Sequence, residues 1–125
     1  MALDISLIGA PTDVGAGALG ARMGPEAIRV AGLQAALERH GLQVQDLGNL
    51  AGPPNPWQPP VDGYRHLDAV VAWNQAVHGA VLGELQRGRL PVLLGGDHCL
   101  GLGSISAVAR HCRTVGKKLR VLWLD

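Results

Sequence analysis

Aromatic residues are scarce in this chain, and phenylalanine is absent altogether. Only 3% of the 125 residues are aromatic, whereas 47% are hydrophobic. The core must therefore consist mainly of alanine, valine, leucine and isoleucine, and a chain of this length can bury such a core. The 18 glycines follow no short repeat, so the composition excludes a collagen-like or low-complexity chain. We expect a single domain over residues 1–125.

Strong net charge, long apolar runs and a cysteine framework are also missing. The net charge is +1 with histidine neutral, which gives no basic surface typical of nucleic-acid binding. No apolar stretch approaches the roughly 20 residues of a transmembrane helix, and no basic stretch marks a signal peptide. Two cysteines, Cys99 and Cys112, are too few for a disulfide scaffold. We expect reduced thiols in a cytoplasmic protein that binds neither nucleic acid nor membrane.

Short apolar runs alternate with helical patterns along the chain. Strands are predicted over residues 3–9, 42–47, 90–94 and 119–124, and helices over residues 24–40, 66–86 and 104–111. Five prolines in residues 52–60 predict a stiff surface loop, because proline fits neither a helix interior nor a central strand. Alternating strands and helices form a mostly parallel sheet covered on both faces. The predicted fold is therefore a three-layer α/β/α domain.

Two candidate metal ligands follow strands of this predicted sheet. His98 belongs to the sequence Gly-Gly-Asp-His directly after the third strand, and Asp125 directly follows the fourth. The carboxyl ends of parallel strands form the functional edge of such sheets. An imidazole and a carboxylate suit Mn²⁺, Zn²⁺ or Fe²⁺, and Asp97 would lie beside the metal and fix an orientation by hydrogen bonding. Spacing alone leaves two simpler interpretations open: a loop histidine and a helix-capping aspartate.

Three segments resemble motifs of the ureohydrolase family, and those of arginases most closely. Residues 95–106, GGDHCLGLGSIS, are similar to the family's first metal-ligand motif. Residues 9–11 and 24–33, GAP and GPEAIRVAGL, resemble its N-terminal signature. Residues 121–125, VLWLD, resemble the strand that opens its Asp-Ala-His-x-Asp motif. The resemblance covers nearly the whole chain.

This resemblance implies a binuclear Mn²⁺ enzyme that hydrolyses the small guanidino substrate arginine to ornithine and urea. It implies that His98 binds one manganese ion and that Asp125 bridges both. The two cations lower the pKa of a shared water, and the resulting hydroxide attacks the guanidinium carbon. The other ligands and the acid/base histidine of the family come later than the position of Asp125. No catalytic residue is therefore assigned within these 125 residues.

Only two ligand positions of the family's metal pair occur in this sequence. Two ligands do not hold a metal pair in an open, oriented geometry, so we expect the 125 residues by themselves to be inactive. In the family fold, later strands lie between the third and fourth strands, and without them the sheet has exposed edges. Such edges invite pairing with other chains. We therefore expect a homo-oligomer, an exchange of elements between copies, or a rearranged fourth strand.

Alternative functions stay open at this stage. Residues 20–22, Gly-Ala-Arg, are similar to agmatinases, which makes agmatine an alternative substrate. A truncated, non-catalytic interaction module is an alternative of another class. The glycine-rich loop of residues 12–24 suggests nucleotide binding, but it lacks the Gly-x-Gly-x-x-Gly spacing at a helix start. Among other polar residues, His66 and His78 are predicted to be helical surface residues, and Ser106 is predicted to have no neighbouring base.

Overall fold

The computed structural model describes residues 3–124, in which strands and helices alternate. The strands are β1 (Asp4–Ala10), β2 (Gln43–Asn49) and β3 (Leu90–Gly95). The α-helices are α1 (Gly24–Val30), α2 (Leu33–Arg39), α3 (Leu67–Gln86) and α4 (Gly101–Thr114). Two single-turn 3-10 helices, Ala21–Met23 and His98–Leu100, lead directly into α1 and α4. In this part of the chain, no helix combines the length and apolar character that crossing a membrane requires.

β1 is the central strand of a three-stranded sheet. The strand order is β2-β1-β3, and both pairs are parallel. Ala10, the last residue of β1, pairs with Gly95, the last residue of β3. This register brings the segment that follows β1 beside the turn that follows β3. The parallel sheet predicted from the alternation of elements is confirmed.

Helices cover both faces of the sheet, because successive residues of β1 point in opposite directions. On one face, Ile8 belongs to an apolar cluster with Trp73 and Val77 of α3. On the other face, Leu7 is packed with Leu33 of α2. Burying an aliphatic side chain of this size contributes about 2 kcal/mol to folding, so β1 anchors the domain. The three-layer α/β/α architecture is therefore confirmed.

The first predicted helix, residues 24–40, is interrupted in the structure. Gly32 adopts φ +89°, a left-handed conformation that separates α1 from α2. On α1, the guanidinium of Arg29 donates to both carboxylate oxygens of Asp46 at 2.7 and 2.9 Å. These hydrogen bonds hold the pKa of Asp46 below its ordinary value. The break at Gly32 thus lets α1 bind β2 while α2 packs on the sheet.

The predicted fourth strand, residues 119–124, is wrong. The segment is irregular in the structure, and Leu122 and Leu124 are 85% and 84% exposed. A groove of about 270 Å³ separates it from Pro91 and Leu93 of β3. A β-strand needs a neighbouring backbone for its hydrogen bonds, and within residues 3–124 this segment has none. An apolar, β-prone sequence was therefore insufficient to form the strand.

Candidate metal centre

The loop after β1, residues 12–24, holds the turn that contains His98, residues 95–98. Two backbone hydrogen bonds of 3.2 and 3.1 Å join the segments, from the amide of Gly96 to Ala21 and from the amide of Asp97 to Thr12. A Cβ atom at Gly24 would lie 2.2 Å from the carbonyl oxygen of Gly95, so only glycine permits this approach. The two strand ends thus form one backbone-bonded unit at the carboxyl edge of the sheet.

The carboxylate of Asp97 fixes this unit from within. One of its oxygens accepts a hydrogen bond from the amide of Gly15, and the other accepts from the amide of Cys99, both at 2.8 Å. Asp97 therefore caps the 3-10 turn that begins at His98, and it also ties that turn to the loop after β1. Its predicted place beside a metal ion stays a prediction, whereas its contacts with the turn are defined.

Cys99 lies half-buried beside this carboxylate. Burial, together with hydrogen bonding and charge from Asp97, raises the pKa of the Cys99 thiol to about 12. The thiol is thus protonated at neutral pH, and a protonated thiol is neither a good nucleophile nor a good metal ligand. This environment agrees with the interpretation of Cys99 as a small packing residue.

His98 projects from the turn into an exposed position at the carboxyl edge. Its ring centroid lies 5.5 Å from that of Trp123, with the ring planes inclined at 48°. Asp125, the second predicted ligand, lies outside the described residues. Across residues 3–124, no group of three histidine, cysteine, aspartate or glutamate side chains is arranged to hold a metal ion. A metal site that included His98 would therefore need ligands outside the described residues.

Asp13 is a buried carboxylate at this edge that the sequence analysis missed. Only 2% of its side chain is exposed. The amide nitrogen of the Asn55 side chain donates to it at 3.0 Å, and Arg22 lies 4.0 Å away. Asp13 therefore connects the glycine-rich loop to the proline-rich segment. Its position three residues after β1, at the edge where ligands were expected, was the available signal.

The glycine-rich loop directs its amides to acceptors within the protein. Gly15 donates to Asp97, and Ala16 donates to the carbonyl of Asp13 at 3.0 Å. Gly20 lies 3.4 Å from the Asp13 carboxylate as a further donor. A phosphate-binding loop instead points such amides at its ligand. The loop thus stabilises the turn of residues 95–98, and the nucleotide interpretation gains no support.

Two histidines predicted as plain surface residues have defined partners. His66 precedes α3 with φ +48°, and its Nε2 accepts a hydrogen bond from the amide of Gln58 at 3.1 Å. The same Nε2 lies 2.9 Å from the carbonyl oxygen of Gln58, and Nδ1 lies 2.7 Å from the carbonyl oxygen of Val14. His78 Nδ1 lies 2.9 Å from the hydroxyl of Ser106, so the prediction that no base neighbours this serine was wrong. His66 thus links the start of α3 to the glycine-rich and proline-rich loops, and His78 links α3 to α4.

A sequence model of the Arginase family matches residues 3–125. The chain belongs to the arginase family. The arginase of Brevibacillus brevis is 37% identical to it over 113 residues, which are 90% of this chain and 38% of that protein. The crystal structure of the arginase of Bacillus caldovelox superposes with a TM-score of 0.80 at 39% identity, and the match covers 89% of this chain and 38% of that one.

A more distant solved structure is similar in fold alone. The Trypanosoma cruzi formiminoglutamase, whose structure was solved with Mn²⁺, superposes with a TM-score of 0.63 at 23% identity, covering 87% of this chain and 36% of that one. The chain thus spans less than half the length of these relatives. The resemblance inferred from residues 95–106 and the N-terminal signature is confirmed as family membership, and the fold is that of an arginase N-terminal region.

Proposed function

We propose that this chain forms the N-terminal part of a Mn²⁺-dependent hydrolase that converts arginine to ornithine and urea. The observation that carries the proposal is the exposed imidazole of His98, which lies on a hydrogen-bonded turn at the carboxyl edge of the sheet. The chain that presents it belongs to the arginase family. Arginine is favoured over agmatine because the relatives at 37 and 39% identity are arginases. Imidazole and carboxylate donors also suit manganese.

In this proposal, His98 and Asp125 would both be ligands of the manganese pair. A metal pair of this kind supplies a water of lowered pKa as the nucleophile. Asp97 acts on this chemistry indirectly, because its hydrogen bonds to Gly15 and Cys99 set the direction of the turn. The loop of residues 12–24 keeps that turn from moving away from β1.

We further propose that residues 1–125 by themselves release no urea. Their two candidate ligands, His98 and Asp125, are too few to orient a metal pair. Urea release from arginine by this chain with added Mn²⁺, abolished by His98→Ala, would contradict the proposal. His78 lies on α3 and serves as the control. If His78→Ala still released urea, the loss in His98→Ala would be due to His98 itself and not to the removal of any histidine.

A hybrid enzyme tests the arginase assignment. Residues 1–125 would replace the corresponding part of the Bacillus caldovelox arginase, which the chain matches with a TM-score of 0.80. We expect the hybrid to release urea from arginine in a Mn²⁺-dependent manner and faster than from agmatine. The rate should fall about 100-fold or more in His98→Ala and should change little in His78→Ala. A hybrid that folds cooperatively but does not hydrolyse arginine would overturn the assignment. A preference for agmatine would favour an agmatinase.

We also propose that the chain self-associates in the cytoplasm. The outer edge of β3 pairs with no other strand among residues 3–124, and the nearby segment of residues 119–124 exposes five large apolar side chains. Both features favour contact with a second copy. Light scattering should give a mass above that of one chain. A monomer at high concentration would contradict this and would also argue against an interaction module that pairs with its own kind.

A further inference from the structure

The helical segment that carries His98 continues from its 3-10 turn directly into α4. Asp97 caps the start of this segment, and the amide of Gly101 donates to the backbone of the 3-10 turn. The N-cap residue of α4 itself is Leu100, whose apolar side chain cannot accept a hydrogen bond. A side-chain acceptor for the first turn of α4 must therefore come from another element.

Asn74, in the middle of α3, supplies that acceptor. Its Oδ1 accepts a hydrogen bond from the amide of Gly103 at 2.6 Å. Its Nδ2 donates to the carbonyl of Val70 at 2.9 Å, which fixes which end of the side-chain amide faces α4. The cap is therefore provided by one helix to another, and it is oriented by α3 itself.

The two helices touch closely at this point. A Cβ atom on Gly103 would lie 2.5 Å from the carbonyl oxygen of Asn74, so glycine is required for the hydrogen bond to form. Leu100, one residue before α4, is 2% exposed and packs in the same core. The first turn of α4 is thus held at the amide of Gly103 and at the side chain of Leu100.

We propose that Asn74 is a positioning residue for His98. The 3-10 turn His98–Leu100 continues into α4 without a break, so the cap on Gly103 restricts rotation of the whole segment. The direction of the His98 imidazole then depends on a side chain that does not touch it. The relevance of this direction to manganese rests on the proposed function, whereas the positioning itself does not.

Three variants of the metal-free chain separate this role from general stability. Asn74→Leu removes the acceptor, and Asn74→Asp keeps an oxygen acceptor and adds a charge that a helix N-terminus favours. Gln75→Leu is the matched control, since Gln75 is an exposed neighbour on α3. The readouts are hydrogen exchange at the amide of Gly103 and the NMR signals of the His98 ring. Those signals sense its orientation to the ring of Trp123, 5.5 Å away.

We expect Asn74→Leu to speed exchange at Gly103 about tenfold and to shift the His98 ring signals. Asn74→Asp should restore both, and Gln75→Leu should change neither. Unchanged ring signals in Asn74→Leu, or acceleration of all amides alike, would overturn the proposal.

A Mn²⁺ titration of the same variants, made in the hybrid with the Bacillus caldovelox arginase, then separates the two proposals. An affinity about tenfold weaker in Asn74→Leu alone supports both. If the unsubstituted hybrid binds no Mn²⁺ while the ring signals of the metal-free chain respond as expected, the proposed function fails and the positioning role stands.

Discussion

Each of the two proposed metal ligands belongs to a different segment of the chain. Residues 95–103 contain His98, whereas residues 119–124 lead to Asp125. The structure holds these two segments very differently. In the first, Leu100 is 2% exposed and Asp97 accepts two backbone hydrogen bonds. In the second, Leu122 is 85% exposed. The first segment follows a strand paired with β1, whereas the second has no strand beside it in the described chain. A ligand position is therefore fixed by the neighbouring backbone more than by the local sequence.

The largest expected effect breaks the contact between the loop after β1 and the held segment. In Gly24→Ala, the new methyl group would lie 2.2 Å from the carbonyl oxygen of Gly95. Because that neighbour is backbone, we expect the free energy of unfolding to fall by about 4 kcal/mol, above the usual range for overpacking. Urea denaturation measures it. Gly17→Ala is the control, since a Cβ atom at that position would meet no described atom within 4 Å apart from its own residue and chain neighbours. An equal loss there would contradict the contact.

A matched pair of leucines compares the two segments directly. Leu100→Ala should cost about 3 kcal/mol, because it leaves a cavity in the core beside Gly95 and Gly96. Leu122→Ala should cost less than about 0.5 kcal/mol, since that side chain is largely in water already. Thermal and urea unfolding of both variants check the difference. Similar losses would mean that residues 119–124 are as well packed as the turn after β3.

The amino end of the sheet gives a reference away from both segments. Glu84 is 4% exposed, and it accepts a hydrogen bond from Ser6 at 2.6 Å and lies near Arg87 and Arg89. The hydrogen bond from Ser6, followed by the arginines, holds the pKa of Glu84 below its ordinary 4.5. The stabilisation is thus present above about pH 4.5 and is lost as the pH falls toward the lowered pKa.

Glu84→Gln tests this reference. We expect a loss of about 2 kcal/mol at pH 7 and a weaker dependence of stability on pH below 4.5, with no change in the His98 ring signals. Glu38→Gln, an exposed carboxylate on α2, is the control. An unchanged acid transition in Glu84→Gln would show that the buried network does not set it.

A small effect at neutral pH is also expected from Cys99→Ser. A hydroxyl also donates to Asp97, so the change in stability at pH 7 should stay below about 1 kcal/mol. The pKa of the Cys99 thiol rises from 9.0 to about 12 on folding, so its contribution is full below pH 9 and is lost as the pH rises toward 12. The serine variant should lose less stability over that alkaline range. Identical alkaline unfolding of both proteins would be evidence against the buried thiol.

Much of the fold follows from sequence periodicity because its elements are stabilised locally and by alternating burial. β1 and α3 were predicted to within a residue or two, since their apolar patterns match their buried faces. The break at Gly32 was missed because the helical spacing of apolar residues continues through it, and a left-handed glycine leaves no mark in that spacing. The strand predicted over residues 119–124 was wrong for another reason. The strand pattern is present in the sequence, but no strand of the described residues pairs with it.

The candidate site was predictable only in part for the same reason. His98 and Asp97 stand in a recognisable motif directly after a strand, so their location was evident. The amide of Gly15, which bonds Asp97, and the side chain of Asn74, which bonds Gly103, lie far away in the sequence and carry no local signal. Asp13 could have been found from its position after β1.

A Mn²⁺ titration followed by NMR of the five histidine side chains tests the central claim most directly. We expect the His98 ring signals to broaden at a lower Mn²⁺ concentration than those of the other four histidines, His40, His66, His78 and His111. In His98→Ala, the signals of these four should broaden as they do in the unmodified chain. Broadening of another histidine first, or of all five together, would contradict a metal ligand at the carboxyl end of β3.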